Sequence, residues 1–238
     1  MSLPTFAAVK GMLMDAEAKY VRRIDLCPND CIAYWNSKHL HEQYHHEHRT
    51  KCPVCNTPRF VVDPVDGALR AAKRMFHFPV AAYVRSLYAR PDLVPYLYND
   101  AGGHPEGHVS RSRGFQQKVR ENPDMEDDHR HLGLIGATDG VPFFDDQKRG
   151  AWPFVLRCAN LPDTLSMHMS NCHLHLLSAN EFWELDESAG VLRRRVRAPK
   201  SLMPHMAVVV DDLLGAYQGV CESLRNVVFI TYCVCILT

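Results

Sequence analysis

A mixed α/β (α+β) fold is predicted by three features of this 238-residue sequence. Two close cysteine pairs before residue 60 have the spacing of a metal-binding knuckle module. Between residues 131 and 197, short β-like runs are separated by turn-forming residues, and one run ends in a lone carboxylate, Asp139. A helical apolar stripe from Pro204 to Tyr217 then precedes a last β-branched run, Asn226 to Thr238. Strands followed by a helix and a further strand make an α/β arrangement. The chain divides on this reading into 1–60 (N-terminal helix and zinc-binding knuckles), 61–130 (helical connector) and 131–238 (strand-rich core).

Composition narrows the function classes. Apolar residues make up 46% and charged residues 23%, ordinary values for a globular chain. Lys+Arg and Asp+Glu are both 27, so any basic surface must be local. Met1 to Lys10 lacks the apolar core of a signal peptide. The apolar runs at Met206–Val210 and Val227–Leu237 fall short of the ~18 residues that a membrane span needs, so no membrane partner is expected. Nine cysteines, odd in number and unevenly placed, favour intracellular metal binding over a disulfide framework.

Thr5 to Arg23 reads as a helix with Phe6, Val9, Leu13 and Tyr20 on one stripe. Cys27-Pro28-Asn29-Asp30-Cys31 and Cys52-Pro53-Val54-Cys55 follow, each pair able to present two sulfurs to one ion. Cys27, Cys31, Cys52 and Cys55 are therefore the candidate ligands of a structural Zn²⁺, with Asn56 suited to the turn after the second pair. Zinc would stabilise a segment with few apolar residues of its own. The alternative is four buried or free thiols. Between the pairs, His41-Glu42-Gln43-Tyr44-His45 matches the H-E-x-x-H pattern of zinc proteases, but it lies in a His-rich tract with no buried helical pattern around it. One histidine of residues 39–48 is a possible replacement ligand for the zinc.

Phe60 to Asp66 reads as a short strand with a turn, Gly67 to Arg74 as helix-permissive, and Phe76 to Val80 as the opening of a helix carrying Val80, Val84, Leu87 and Tyr88. Asn99–Gly107 is a loop, and Glu121–Arg130 an exposed, charged connector. Leu132 to Ala137 is a buried strand with Thr138 at its rim. Asp139-Gly140 then fits either of two readings: a turn between strands, or a strand-borne acid that must be paired, hydrated or metal-bound. Trp152–Pro162 and Cys172–Ala179 are the next strands, and Phe182–Asp186 pairs with Val191–Arg197 as a hairpin. That second arm carries Arg193, Arg194, Arg195 and Arg197, with Lys200 just beyond. This cluster suits contact with a phosphate backbone, and equally a solvated strand whose charges protect an edge. The helix from near Pro204 is capped by Ser201 and stopped by Gly219, with Asp211 and Asp212 expected as surface charges.

Strand, strand, strand, helix, strand is also the order of the opening half of a ribonuclease H-like fold. Taken together, Cys27–Cys31, Cys52–Cys55 with Thr57-Pro58-Arg59, Phe78-Pro79-Val80, Leu132–Phe143 with Thr138-Asp139-Gly140, Ala151–Val155, Asn160-Leu161-Pro162 and Val210–Leu214 with Gly219-Val220 resemble the N-terminal part of CACTA-type (En/Spm) DNA transposases. The similarity runs in the same order over most of residues 5–232. It implies a ribonuclease H-like catalytic core of the acidic-triad type with Asp139 as its first Mg²⁺-binding carboxylate. It also implies transposon-end DNA as partner, association with other transposase copies, and a nuclear location. The chemistry of that family is strand cleavage and transfer by two Mg²⁺ ions held by several carboxylates. In the resembling pattern a second aspartate follows the fourth strand, whereas this sequence reads Cys235-Ile236-Leu237-Thr238 there. The expectation is thus a truncated copy, inactive alone, or else a zinc-stabilised interaction module without catalysis.

Overall fold

The computed structural model describes residues 21–38, 40, 42–98, 108–121, 132–138, 141–142, 150–179, 181–186, 191–196, 201 and 203–220. Most of the expected helix 5–23, the segments expected as loop and connector, and the terminal strand from 226 lie outside these residues.

Eleven strands are described: β1 Arg22–Leu26, β2 Ala33–Tyr34, β3 Phe60–Val62, β4 Leu69–Ala71, β5 Lys73–His77, β6 Leu134–Thr138, β7 Val141–Pro142, β8 Gly150–Cys158, β9 Cys172–Ala179, β10 Glu181–Asp186 and β11 Val191–Val196. Five helices accompany them: α1 Val80–Tyr88, α2 Val94–Leu97, α3 Arg113–Arg120, α4 Asp163–Ser166 and α5 Met203–Val220. The architecture is α+β, with one large sheet of order β2-β1-β5-β9-β8-β6, β7 pairing with β8 as its seventh strand. Every pairing in it is antiparallel. The sheet draws strands from all three stretches of the chain, the segment 61–130 supplying β5 to it; β3 and β4 pair as a separate two-stranded sheet.

Three local expectations are corrected. Arg22 and Arg23 belong to β1, paired with His77 and Phe76 of β5, and not to a helix. Gly67 to Arg74 is not helical, because the turn Asp63–Ala68 closes a β3–β4 hairpin. The Asp63 side chain accepts from Val65 N (3.0 Å), the Asp66 side chain from Ala68 N (2.9 Å), and Gly67 takes φ 69°. Phe76 and His77 end β5, and the helix starts only at Val80, after Pro79, whose fixed φ and missing N–H suit the position just before a helix. From there the expected stripe holds, with Val80, Tyr83, Val84 and Leu87 buried.

The core lies between the sheet and helices α1 and α5. Ile24, Leu26, Met75, Leu134, Phe154, Leu156 and Leu176 meet Val84, Leu87, Val209 and Leu213 there. Alternation places Lys73, Met75 and His77 of β5 inward and Arg74 outward. Gly136 of β6 is required by close packing, since an added Cβ would sit 2.6 Å from the Phe154 ring. The Asn160-Leu161-Pro162 turn is a buried junction. Asn160 accepts from Gly133 N (2.7 Å) and donates to Leu97 O (2.8 Å), while the Leu161 carbonyl lies 2.9 Å from His108 Nε2.

Candidate metal centre

The two cysteine knuckles fold as matched turns. In the first, Asp30 N donates to Cys27 O (2.9 Å) and Cys27 N to Ile32 O (3.0 Å), with Asp30 at φ 57°. In the second, Asn56 N donates to Cys52 O (2.9 Å) and Cys52 N to Thr57 O (3.0 Å), with Asn56 also at φ 57°. Asp and Asn are the residues other than glycine that best tolerate this left-handed region. Each turn curls its chain so that both cysteines of a pair face the same point.

One sulfur from each of Cys27, Cys31, Cys52 and Cys55 lies within 4.8 Å of the others, and Cys27 Sγ and Cys55 Sγ are 3.4 Å apart. Four thiolates around one tetrahedral zinc stand about 3.8 Å apart, given a Zn–S bond of about 2.3 Å. The tetrad is thus of a size to hold a metal ion such as zinc. None is disulfide-bonded; Cys27 and Cys52 are buried, and Ile32 and Tyr34 pack beside them.

Electrostatics within the tetrad are uneven. Burial pushes the Cys27 thiol up to about 11, despite backbone N–H groups that favour its thiolate. Burial and the neighbouring sulfurs raise Cys31 further. Burial also acts against ionising Cys55, but hydrogen bonds involving Thr57 and Asn29 outweigh it and bring that thiol down to about 5. Asn29 Nδ2 lies 3.5 Å from Cys55 Sγ and donates to Thr57 Oγ1 at 2.9 Å. A dication among these sulfurs would draw the remaining protons off, because it is the largest local charge.

The module is fixed to the sheet by two charged side chains. Lys73 Nζ of β5 donates to Asp30 Oδ1 of the first knuckle at 2.6 Å, with both side chains fully buried. Arg59, two residues after Thr57, pairs with Asp25 of β1 (2.8 Å), donates to the carbonyls of Glu47 and Arg49, and lies 4.9 Å from the Tyr34 ring and 4.8 Å from that of Phe60. Thr57-Pro58-Arg59 therefore ties the second knuckle to β1.

The other candidates fare differently. Asp139, Arg197 and Lys200 lie outside the described residues; β6 ends at Thr138, whose hydroxyl donates to Pro153 O at 2.9 Å. Arg193, Arg194 and Arg195 sit on β11, opposite Glu184, Trp183 and Phe182 of β10. The H-E-x-x-H match is not a helix face: Glu42–Tyr44 is one 3-10 turn and His45 bridges to Asn36, while His41 lies outside the described residues. Among the described residues, no histidine of the 39–48 tract joins the sulfur tetrad.

Asp211 and Asp212 are corrected from surface charges to interior anchors. Asp211 accepts from Ser37 Oγ (2.6 Å), Lys38 N (3.1 Å) and Trp35 Nε1 (3.3 Å), joining α5 to the loop after β2. Asp212 Oδ2 accepts from Val80 N at 2.8 Å and lies 3.3 Å from His77 Nε2. Val210 is the residue of that stretch that faces solvent. Sequence reasoning also missed that His77, His175 and Asp212 converge, because they come from β5, β9 and α5 and share no spacing pattern. Comparison with known proteins returns no matching family model, curated protein or solved structure.

Proposed function

We propose that this chain derives from a CACTA-type DNA transposase, that Cys27, Cys31, Cys52 and Cys55 hold a structural Zn²⁺ ion, and that the protein binds DNA in the nucleus. The observation that carries the zinc part is the convergence of four sulfurs from two similar turns within 4.8 Å. The transposase part is supported by the resemblance. It is also supported by the antiparallel run β6-β8-β9 with α5 after it, beyond the intervening β10–β11 hairpin; three strands before a helix is the order expected of the first half of a ribonuclease H-like core. Strand cleavage and transfer, with Asp139 as an Mg²⁺ ligand, belong to the intact family; the proposal for this chain is DNA binding. Arg193, Arg194, Arg195, Arg197 and Lys200 are its phosphate-contacting candidates.

A second reading, a zinc-stabilised protein-interaction module, is favoured by an apolar cavity of about 400 Å³ beside the tetrad, lined by Cys31, Trp35, Tyr44, Val54 and Ala207 among others. Salt-dependent binding to duplex DNA separates the two. The transposase reading expects binding at low salt whose log–log slope drops by about 3 when Arg193, Arg194 and Arg195 are all replaced by Ala. No binding of the zinc-loaded protein at low salt would overturn that reading and leave the interaction module.

A further inference from the structure

His77 ends β5 and His175 lies on the neighbouring strand β9, where Phe78 N donates to His175 O at 2.9 Å. Asp212 reaches both from α5, across the interface of helix and sheet. His77 Nε2 is 3.3 Å from Asp212 Oδ2 and His175 Nδ1 is 3.9 Å from the same oxygen. The two rings meet edge to face at 5.1 Å and 86°, and the histidine side chains are 2% and 0% exposed.

We propose that His77, His175 and Asp212 form a second metal site, specific for a divalent transition-metal ion and best suited to Zn²⁺. All four ring nitrogens of the two histidines are buried, and none makes a well-aligned hydrogen bond; His77 Nε2 has only the Asp212 carboxylate at 3.3 Å. Buried polar atoms left so are rare, because each forfeits its bonds to water. An ordinary His–Asp hydrogen bond satisfies one ring only, whereas a metal ion takes one nitrogen from each. Two imidazoles and a carboxylate are a donor set used by zinc sites that keep one position open, and imidazole prefers transition metals to Mg²⁺ or Ca²⁺.

The geometry needs little adjustment. Ligand atoms on a tetrahedral zinc stand about 3.3 Å apart, the separation of His77 Nε2 and Asp212 Oδ2; His175 Nδ1, at 3.9 Å from that oxygen, must move closer, all three ligand atoms lying within 4.8 Å of one another. Val80 N, at the start of α1, donates to the same Oδ2 and so fixes the carboxylate in place. A cavity of about 480 Å³ reaches His77 and Asp212, with Arg22, Arg23 and Lys38 also in its wall. The fourth position therefore opens towards water or a small anion.

The test is metal content of the full chain, saturated with Zn²⁺ and freed of excess by gel filtration. Two zinc ions per chain are expected, falling to one in His175→Leu and in Asp212→Asn. His205→Leu, which removes another buried histidine outside the cluster, should retain two. A wild-type value of one with all four cysteines protected from thiol reagents overturns the proposal, as does retention of two in both His175→Leu and Asp212→Asn. Co²⁺ titration of the wild type guards against misfolded variants. A second equivalent should add visible absorption without adding to the sulfur-to-cobalt charge-transfer band, and saturation at one equivalent counts against the site.

Discussion

Lys73 and Asp30 show how much depends on single side chains. Their ion pair is fully buried, so removing one partner strands a charge in the interior. Lys73→Met should cost about 3–5 kcal/mol in urea unfolding, and adding Asp30→Asn should recover part of it. Asn is the natural replacement because residue 30 sits at φ 57°. Asn160 is a second such point, and its replacement by Ala leaves Gly133 N and Leu97 O without partners, at about 2–4 kcal/mol. Residue-level geometry was legible where the signal is local: the paired cysteines converge and Asn56 takes the turn as their spacing suggests. It was not legible for Asp211 and Asp212. Their partners, Ser37 and His77, lie more than a hundred residues away, and helical periodicity reports only which face is apolar.

At the scale of elements, the strands β6, β8 and β9 and helices α1 and α5 follow from apolar runs, alternation and helical stripes. The strands β1 and β5 did not, because two or three alternating residues beside charged ones fit a helix end equally well. The strand β5 pairs with β1 on one side and on the other with β9, about a hundred residues further along. The β6–β8 contact makes a specific prediction. Gly136→Ala places a methyl 2.6 Å from the Phe154 ring and should destabilise by about 1–3 kcal/mol, while Phe154→Leu in the same chain should relieve most of the clash. Equal losses in the single and double variants, measured by urea midpoint, would show that this packing is not the cause.

For the whole molecule, the antiparallel sheet joins the knuckle module to the strands after residue 131, so a metal ion held by the tetrad should add to global stability. Acid should act on the same interior. Burial, with Lys73 adding to it, holds His205 down at about 4, below its ordinary 6.5. The folded state thus keeps this ring neutral while the unfolded chain protonates it. The resulting stability is present above about pH 6.5 and is lost as pH falls from there towards about 4. In zinc-free protein, the urea midpoint should fall across that window, and His205→Leu should flatten the fall.

The central claim is a four-thiolate metal site built from Cys27, Cys31, Cys52 and Cys55, and Co²⁺ substitution tests it most directly. The first equivalent should give the intense sulfur-to-cobalt charge-transfer band of four thiolates in a tetrahedral field, weakened in Cys52→Ser and displaced by Zn²⁺. A first equivalent that binds without that band, or a band unchanged in Cys52→Ser, would contradict the account.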